Sequence, residues 1–125
     1  MSTHCGIAVK HETGFNVIYC HHDGYLSYMF KTLKENYNSE ELAANLVSLG
    51  DASSINKNLY PTGPHSFDNP ERDVCVFYNR DRGEPWEDVC PENHSLNWII
   101  DGFFYAYVWF DGQWHAYVEG KEVIE

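Results

Sequence analysis

The stretch FFYAYVWFDGQWHAYV, residues 103–118, decides how this chain is read. Two aromatic and β-branched runs flank Asp111-Gly112. Both turn residues tolerate the positive φ of a type I′ turn, whose twist matches that of paired strands. A two-residue loop sets Phe110 opposite Gln113, Trp109 opposite Trp114, Val108 opposite His115 and Tyr107 opposite Ala116. Strand side chains alternate, so one face carries Tyr105, Tyr107, Trp109, Trp114, Ala116 and Val118. Burying six such side chains contributes on the order of 10 kcal/mol gross, before conformational entropy is subtracted. That face is expected to be core. The other mixes Phe104, Ala106, Val108 and Phe110 with Gln113, His115, Tyr117 and Glu119. Here Phe110, His115 and Tyr117 are expected to meet a partner, or a second copy of the chain if the aromatic patch lies open.

Upstream, Ser95 to Asp101 (SLNWIID) reads as a short helix, with Asn93 or Ser95 as its cap. Asp73 to Asn79 (DVCVFYN) reads as a strand, followed by a charged turn at Arg80-Asp81-Arg82-Gly83. Asp51 to Pro70 is rich in Asn, Ser, Pro and Gly and reads as a long loop, a class that often carries function.

At the other end, Cys5 to His11 and Asn16 to His21 form a second hairpin around Glu12-Thr13-Gly14-Phe15, with Cys5, Ile7 and Val9 on one face. The period then changes. Leu26, Met29, Phe30, Leu33 and Tyr37 make the stripe of an amphipathic helix, with Lys31, Lys34 and Glu35 outside and Asp23 as the expected N-cap. A further helix starts at Asn38 or Ser39, carries Glu40 and Glu41 at its positive end, buries Leu42, Leu46, Val47 and Leu49, and stops at Gly50. The expected fold is α+β, one acidic domain over residues 1–125. An antiparallel sheet, made of the N-terminal hairpin, a central strand and the aromatic hairpin, packs against two consecutive helices.

Charge narrows the function. Nineteen acidic and eight basic residues give a net charge of −11. Residues 1–50 carry five acids against three bases, and residues 51–125 fourteen against five. Direct binding of a phosphate backbone needs clustered Lys and Arg and is excluded as an expectation. A basic protein surface is the complementary partner. Glu84, Trp86, Glu87 and Asp88 join an aromatic anchor to carboxylates and are candidate contacts with it.

Cys5, Cys20, Cys75 and Cys90 include no C-x-x-C pair, and Met1 to Lys10 lacks a long apolar run. No segment approaches the roughly 20 apolar residues of a membrane span. Reduced thiols and a cytoplasmic setting are expected.

Two other chemistries compete. Arg80 and Arg82, beside aromatics, are candidates for a nucleotide's phosphates, or else they neutralise nearby acids. Cys20, His21 and Asp23 are weak candidates for a metal or for a cysteine-dependent enzyme. Alternation along a strand sends neighbouring side chains to opposite faces and keeps them from converging, so this trio reads first as the entry to a helix. No cofactor is expected.

The run Ile18-Tyr19-Cys20-His21-His22-Asp23-Gly24-Tyr25, with Lys31-Thr32-Leu33, Asn36-Tyr37-Asn38, Leu49 to Ser54 and Tyr78 to Glu84, resembles small accessory proteins encoded by bacteriophages and other mobile elements. In that group the position of His22 is more often Trp, which argues against His22 as a shared ligand. The resemblance implies action inside a bacterial host cell and carries no assigned enzymatic activity. Combined with the acidic charge, it leads to the expectation of a non-enzymatic inhibitor of a host protein, such as an anti-defence factor.

Overall fold

The computed structural model describes residues 3–124 and has mixed α+β architecture, with an eight-stranded, mostly antiparallel sheet and five helices. Its frame is two hairpins laid side by side. Strands β1 (Cys5–Lys10) and β2 (Phe15–Cys20) pair antiparallel across a tight loop closed by a bond from His11 N–H to the Gly14 carbonyl, 2.9 Å. Strands β6 (Tyr105–Phe110) and β7 (Gln113–Val118) pair in the register set by the turn, residue for residue. Asp111 and Gly112 have φ of 53° and 77°, as a type I′ turn requires.

The hairpins join where β1 runs parallel to β6, with Gly6 opposite Ala106. That pairing corrects the expectation of a wholly antiparallel sheet, as does β3 (Ala52–Ser54), which runs parallel to β2. The sheet order is β4-β3-β2-β1-β6-β7-β8, where β4 is Val76–Phe77 and β8 is Lys121–Val123; β5 (Glu92–His94) pairs antiparallel with the first half of β2.

Helices α1 (Leu26–Asn36) and α2 (Glu40–Ser48) cover one face of the sheet. Beneath them lie Cys5, Ile7, Val9, Ile18, Cys20, Tyr107, Trp109, Trp114 and Ala116. The polar tips of this core are satisfied, as burial demands. Tyr107 donates to the Gly24 carbonyl at 2.7 Å, Trp114 Nε1 to the Tyr37 carbonyl at 2.9 Å, and Tyr37 to the Asn56 carbonyl at 2.6 Å. Burial pushes the Tyr37 and Tyr107 phenols far up, so both stay protonated donors.

The opposite face holds Ala8, Phe15, Val17, Ala106, Val108 and Tyr117, closed by Ile99 of α5 (Leu96–Gly102). Ser95 caps α5 by accepting from Trp98 N–H at 3.2 Å.

Four further expectations are corrected. Asp23 does not cap α1: its backbone is left-handed, φ 58°, and the N-cap is Tyr25 with no side-chain bond. Ser39 does cap α2, but Leu42 is 42% exposed and the buried stripe is Ala43, Leu46 and Val47, residues that share one face at i, i+3 and i+4. The loop at residues 51–70 contains β3, with Ser53 buried against the sheet. The central strand is only two residues long, and Tyr78–Arg82 forms a short helix, α3, ended by Gly83 with φ 80°. Within the acidic segment, Trp86–Val89 forms α4.

Candidate functional site

The face covered by α5 is only partly closed, and the candidate site is the acidic border of that opening. Strand β5 brings Glu92 and His94 alongside β2. The His94 ring stacks flat on Trp98 with centroids 3.4 Å apart and planes 6° apart, while His94 Nε2 lies 2.9 Å from Glu92 Oε1. Trp98 is thus held in one orientation with 47% of its surface exposed. Glu92, Trp98, Phe103, Tyr19 and Asp51 line a small hollow of about 130 Å³.

Asp51 links this hollow to α4. Its N–H donates to the Val89 carbonyl at 2.8 Å, and its Oδ1 accepts from Tyr19 N–H at 2.9 Å. Burial raises the pKa of its carboxyl; the Tyr19 N–H opposes the rise and Glu92 adds to it. Trp86 packs beside Gly50, where an added Cβ would lie 3.1 Å from the Trp86 ring and 2.5 Å from the Val89 carbonyl oxygen. With φ of 85° as well, only glycine fits at residue 50. Trp86 itself is 44% exposed, and Glu87 and Asp88 are exposed beside it in the first turn of α4. The result is a border with two fixed, half-exposed tryptophans and the carboxylates of Asp51, Glu87, Asp88 and Glu92.

Glu84, Trp86, Glu87 and Asp88 from the sequence reading fall on or next to this border, although Glu84 is engaged with Arg82 at 3.1 Å. The hairpin residues do not join them as an open face. Tyr117 is 7% exposed beneath its own chain, which corrects the expectation that it meets a partner. His115 stacks on half-buried Phe110 at 3.8 Å and holds its ring nitrogens against Glu122 Oε2 and the Phe110 carbonyl, both at 3.1 Å. Sequence reasoning missed Asp51, Glu92, His94 and Trp98. Periodicity cannot reveal that β5 docks on β2, since that contact spans about 77 positions along the chain, as in the Asn93–Asn16 bond.

The remaining candidates are tied into the scaffold. Arg80 donates to the Leu59 carbonyl at 2.7 Å, the Cys75 carbonyl at 2.8 Å and both oxygens of Asp81. That fastens the long loop and leaves no fork for a phosphate. Burial pushes the Asp81 carboxyl up, but the Arg80 and Phe77 N–H bonds outweigh it and hold the pKa below the usual aspartate value. His65 Nε2 lies 3.3 Å from Asp81 Oδ1 without hydrogen-bond alignment, while Nδ1 accepts from Glu71 N–H, so this histidine latches the loop too. Arg82 rests over the Phe67 ring at 4.8 Å.

Cys20, His21 and Asp23 do not converge. Cys20 is fully buried with its thiol towards the His22 carbonyl, His21 Nδ1 bonds Tyr19 Oη at 2.7 Å, and Asp23 is exposed. Among the described residues no group of three or more His, Cys, Asp or Glu could hold a metal ion. Burial raises the Cys5 and Cys75 thiols, which keeps them protonated rather than nucleophilic. Among the described residues no helix is long and apolar enough to cross a membrane.

Comparison with known protein families, with characterised proteins and with solved structures finds no match to this chain, so the site rests on its own geometry.

Proposed function

We propose that this chain is a non-enzymatic accessory protein of bacteriophage or mobile-element type. It acts in the cytoplasm of a bacterial host, where it binds and inhibits a host protein through an acidic surface. The observation that carries the reading is the pair Trp86 and Trp98, each close to half exposed and each set among carboxylates. Tryptophan is a preferred hot-spot residue, because it buries a large area with little loss of side-chain freedom. The stack on His94 fixes Trp98 before binding, which lowers the ordering cost of association. The surrounding carboxylates, in a field set by a net charge of −11, select a Lys- and Arg-rich surface and speed encounter with it. Arginine can stack on the tryptophan faces while pairing with the acids. A nucleic-acid-binding defence effector presents that kind of surface.

The test is capture from host lysate with the wild-type chain, with Trp98→Ala, and with a triple variant carrying Glu87→Lys, Asp88→Lys and Glu92→Lys. A basic protein retained by the wild type, lost with both variants and released steeply by salt is the expected result. The same protein retained by all three chains would end this reading.

A further inference from the structure

The hollow of about 130 Å³ on the acidic border has a more specific chemistry than the border as a whole. Sites for nucleotides and cofactors run to roughly 300–1,000 Å³, so the occupant here is a group the size of one side chain. The lining combines three aromatic rings, Tyr19, Trp98 and Phe103, with apolar Val17 and the carboxylates of Asp51 and Glu92. Aromatic faces carry negative charge density and attract cations, as carboxylates do. Rings and acids therefore select the same sign of charge. Among the described residues no Lys or Arg pairs with either carboxylate: Lys57 and Arg72 pair with Asp73, Arg80 with Asp81, and Arg82 with Glu84.

The lining is also fixed in advance. Half-buried Asp51 donates its N–H to the Val89 carbonyl at 2.8 Å, and its own carbonyl accepts from Tyr78 N–H at 3.2 Å. Its Oδ1 takes the Tyr19 N–H at 2.9 Å, which leaves Oδ2 for an incoming donor. Glu92 is oriented through Oε1 by His94, whose ring in turn holds Trp98. Burial raises the Asp51 pKa and Glu92 adds to the rise, as expected of a carboxylate that lacks a counter-charge. We propose that this hollow is a socket for a single arginine side chain of the partner protein. The guanidinium lies against Trp98 and donates to Asp51 Oδ2 and to Glu92, while the methylene stem passes Val17 and Phe103. A lysine ammonium is a more strongly hydrated point charge with no planar fork, so it is the weaker occupant. The proposal rests on the reading of the border as a partner surface and adds the residue that the partner must present.

The test titrates the full chain with N-acetyl-arginine methylamide and with the matching lysine and citrulline amides, following NMR shifts. The arginine amide is expected to saturate, with shifts confined to the Val17, Tyr19, Asp51 and Glu92 amides and the Trp98 indole N–H. The lysine amide should bind several-fold more weakly, and the uncharged citrulline amide should give no saturable shift. Asp51→Asn keeps the shape of the hollow and removes one charge, and is expected to weaken arginine binding by about tenfold. Glu35→Gln removes the same charge from exposed α1 on the opposite face and is expected to leave binding unaltered. Three results would each overturn the proposal: no saturable response to the arginine amide up to about 20 mM, beyond the weak end of specific affinity; lysine binding as well as arginine; or Asp51→Asn binding like the wild type. The probe needs no host protein, so the two readings fail separately. Capture of a basic protein through Trp98 with no response to the probe overturns the arginine socket alone. A probe that binds as expected, with capture from lysate indifferent to the variants, overturns the proposed function and supports the socket.

Discussion

The two faces of the sheet differ in how completely they are closed. Under α1 and α2, Tyr107, Trp109 and Trp114 are buried, and the polar tips of Tyr107 and Trp114 reach backbone carbonyls. Across the sheet, α5 is shorter, at seven residues, and seals only the middle of its face with Ile99. Trp98 and Phe104 stay about half exposed. The same residue type therefore plays opposite parts. Tryptophans of the hairpin hold the fold, whereas those beside the acids are free to meet something else.

Breaking the closed face should cost most. Trp114→Ala removes a ring that packs edge-on to Trp109 and donates to Tyr37, and a loss of about 4 kcal/mol in urea unfolding is expected. A loss below about 1 kcal/mol would show that this face is not the principal core. On the thinner face, Ile99→Ala should cost about 2–3 kcal/mol while the helical face keeps its amide protection in hydrogen exchange. Simultaneous loss of protection on both faces would abolish the contrast drawn between them.

Trp98→Ala sharpens the comparison. Stability should change by about 0.5 kcal/mol, because half of the ring is already in water, yet partner binding should fall by about 2 kcal/mol. A large fall in stability with binding intact would return Trp98 to the core.

The smallest effect is a pH dependence. Burial first, then Glu92, raises the folded pKa of Asp51 above its ordinary value of 3.8. The folded state therefore holds this proton more tightly than the unfolded chain. Its contribution to stability is fully present below pH 3.8 and is lost as pH rises through the folded value. Asp51→Asn keeps an acceptor for Tyr19 N–H and should flatten that decline when melting temperatures are compared from about pH 4 to 8. A slope identical to the wild type would remove Asp51 as its source.

Local patterns were legible wherever the signal is local. The Asp-Gly turn dictated the register of β6 and β7, because both residues must take positive φ. Ser95 and Ser39 announced their helices through side-chain oxygens that accept N–H bonds three residues on. Asp23 misled because a capping residue type is necessary but not sufficient: Gly24 N–H is drawn to the Thr3 carbonyl at 2.7 Å, and α1 begins two residues later.

The sequence by itself determined the two hairpins, the amphipathic helices, the acidic balance and the separation of the aromatic hairpin into two faces. Each of these follows from residues within a few positions of one another. Tertiary structure alone decided that β1 runs beside β6, that β5 docks on β2, that Arg80 is spent inside the scaffold and that Tyr117 is covered. Those outcomes depend on which distant surfaces meet, and no local period or propensity encodes that choice. The border of tryptophans and carboxylates exists only once it has been made.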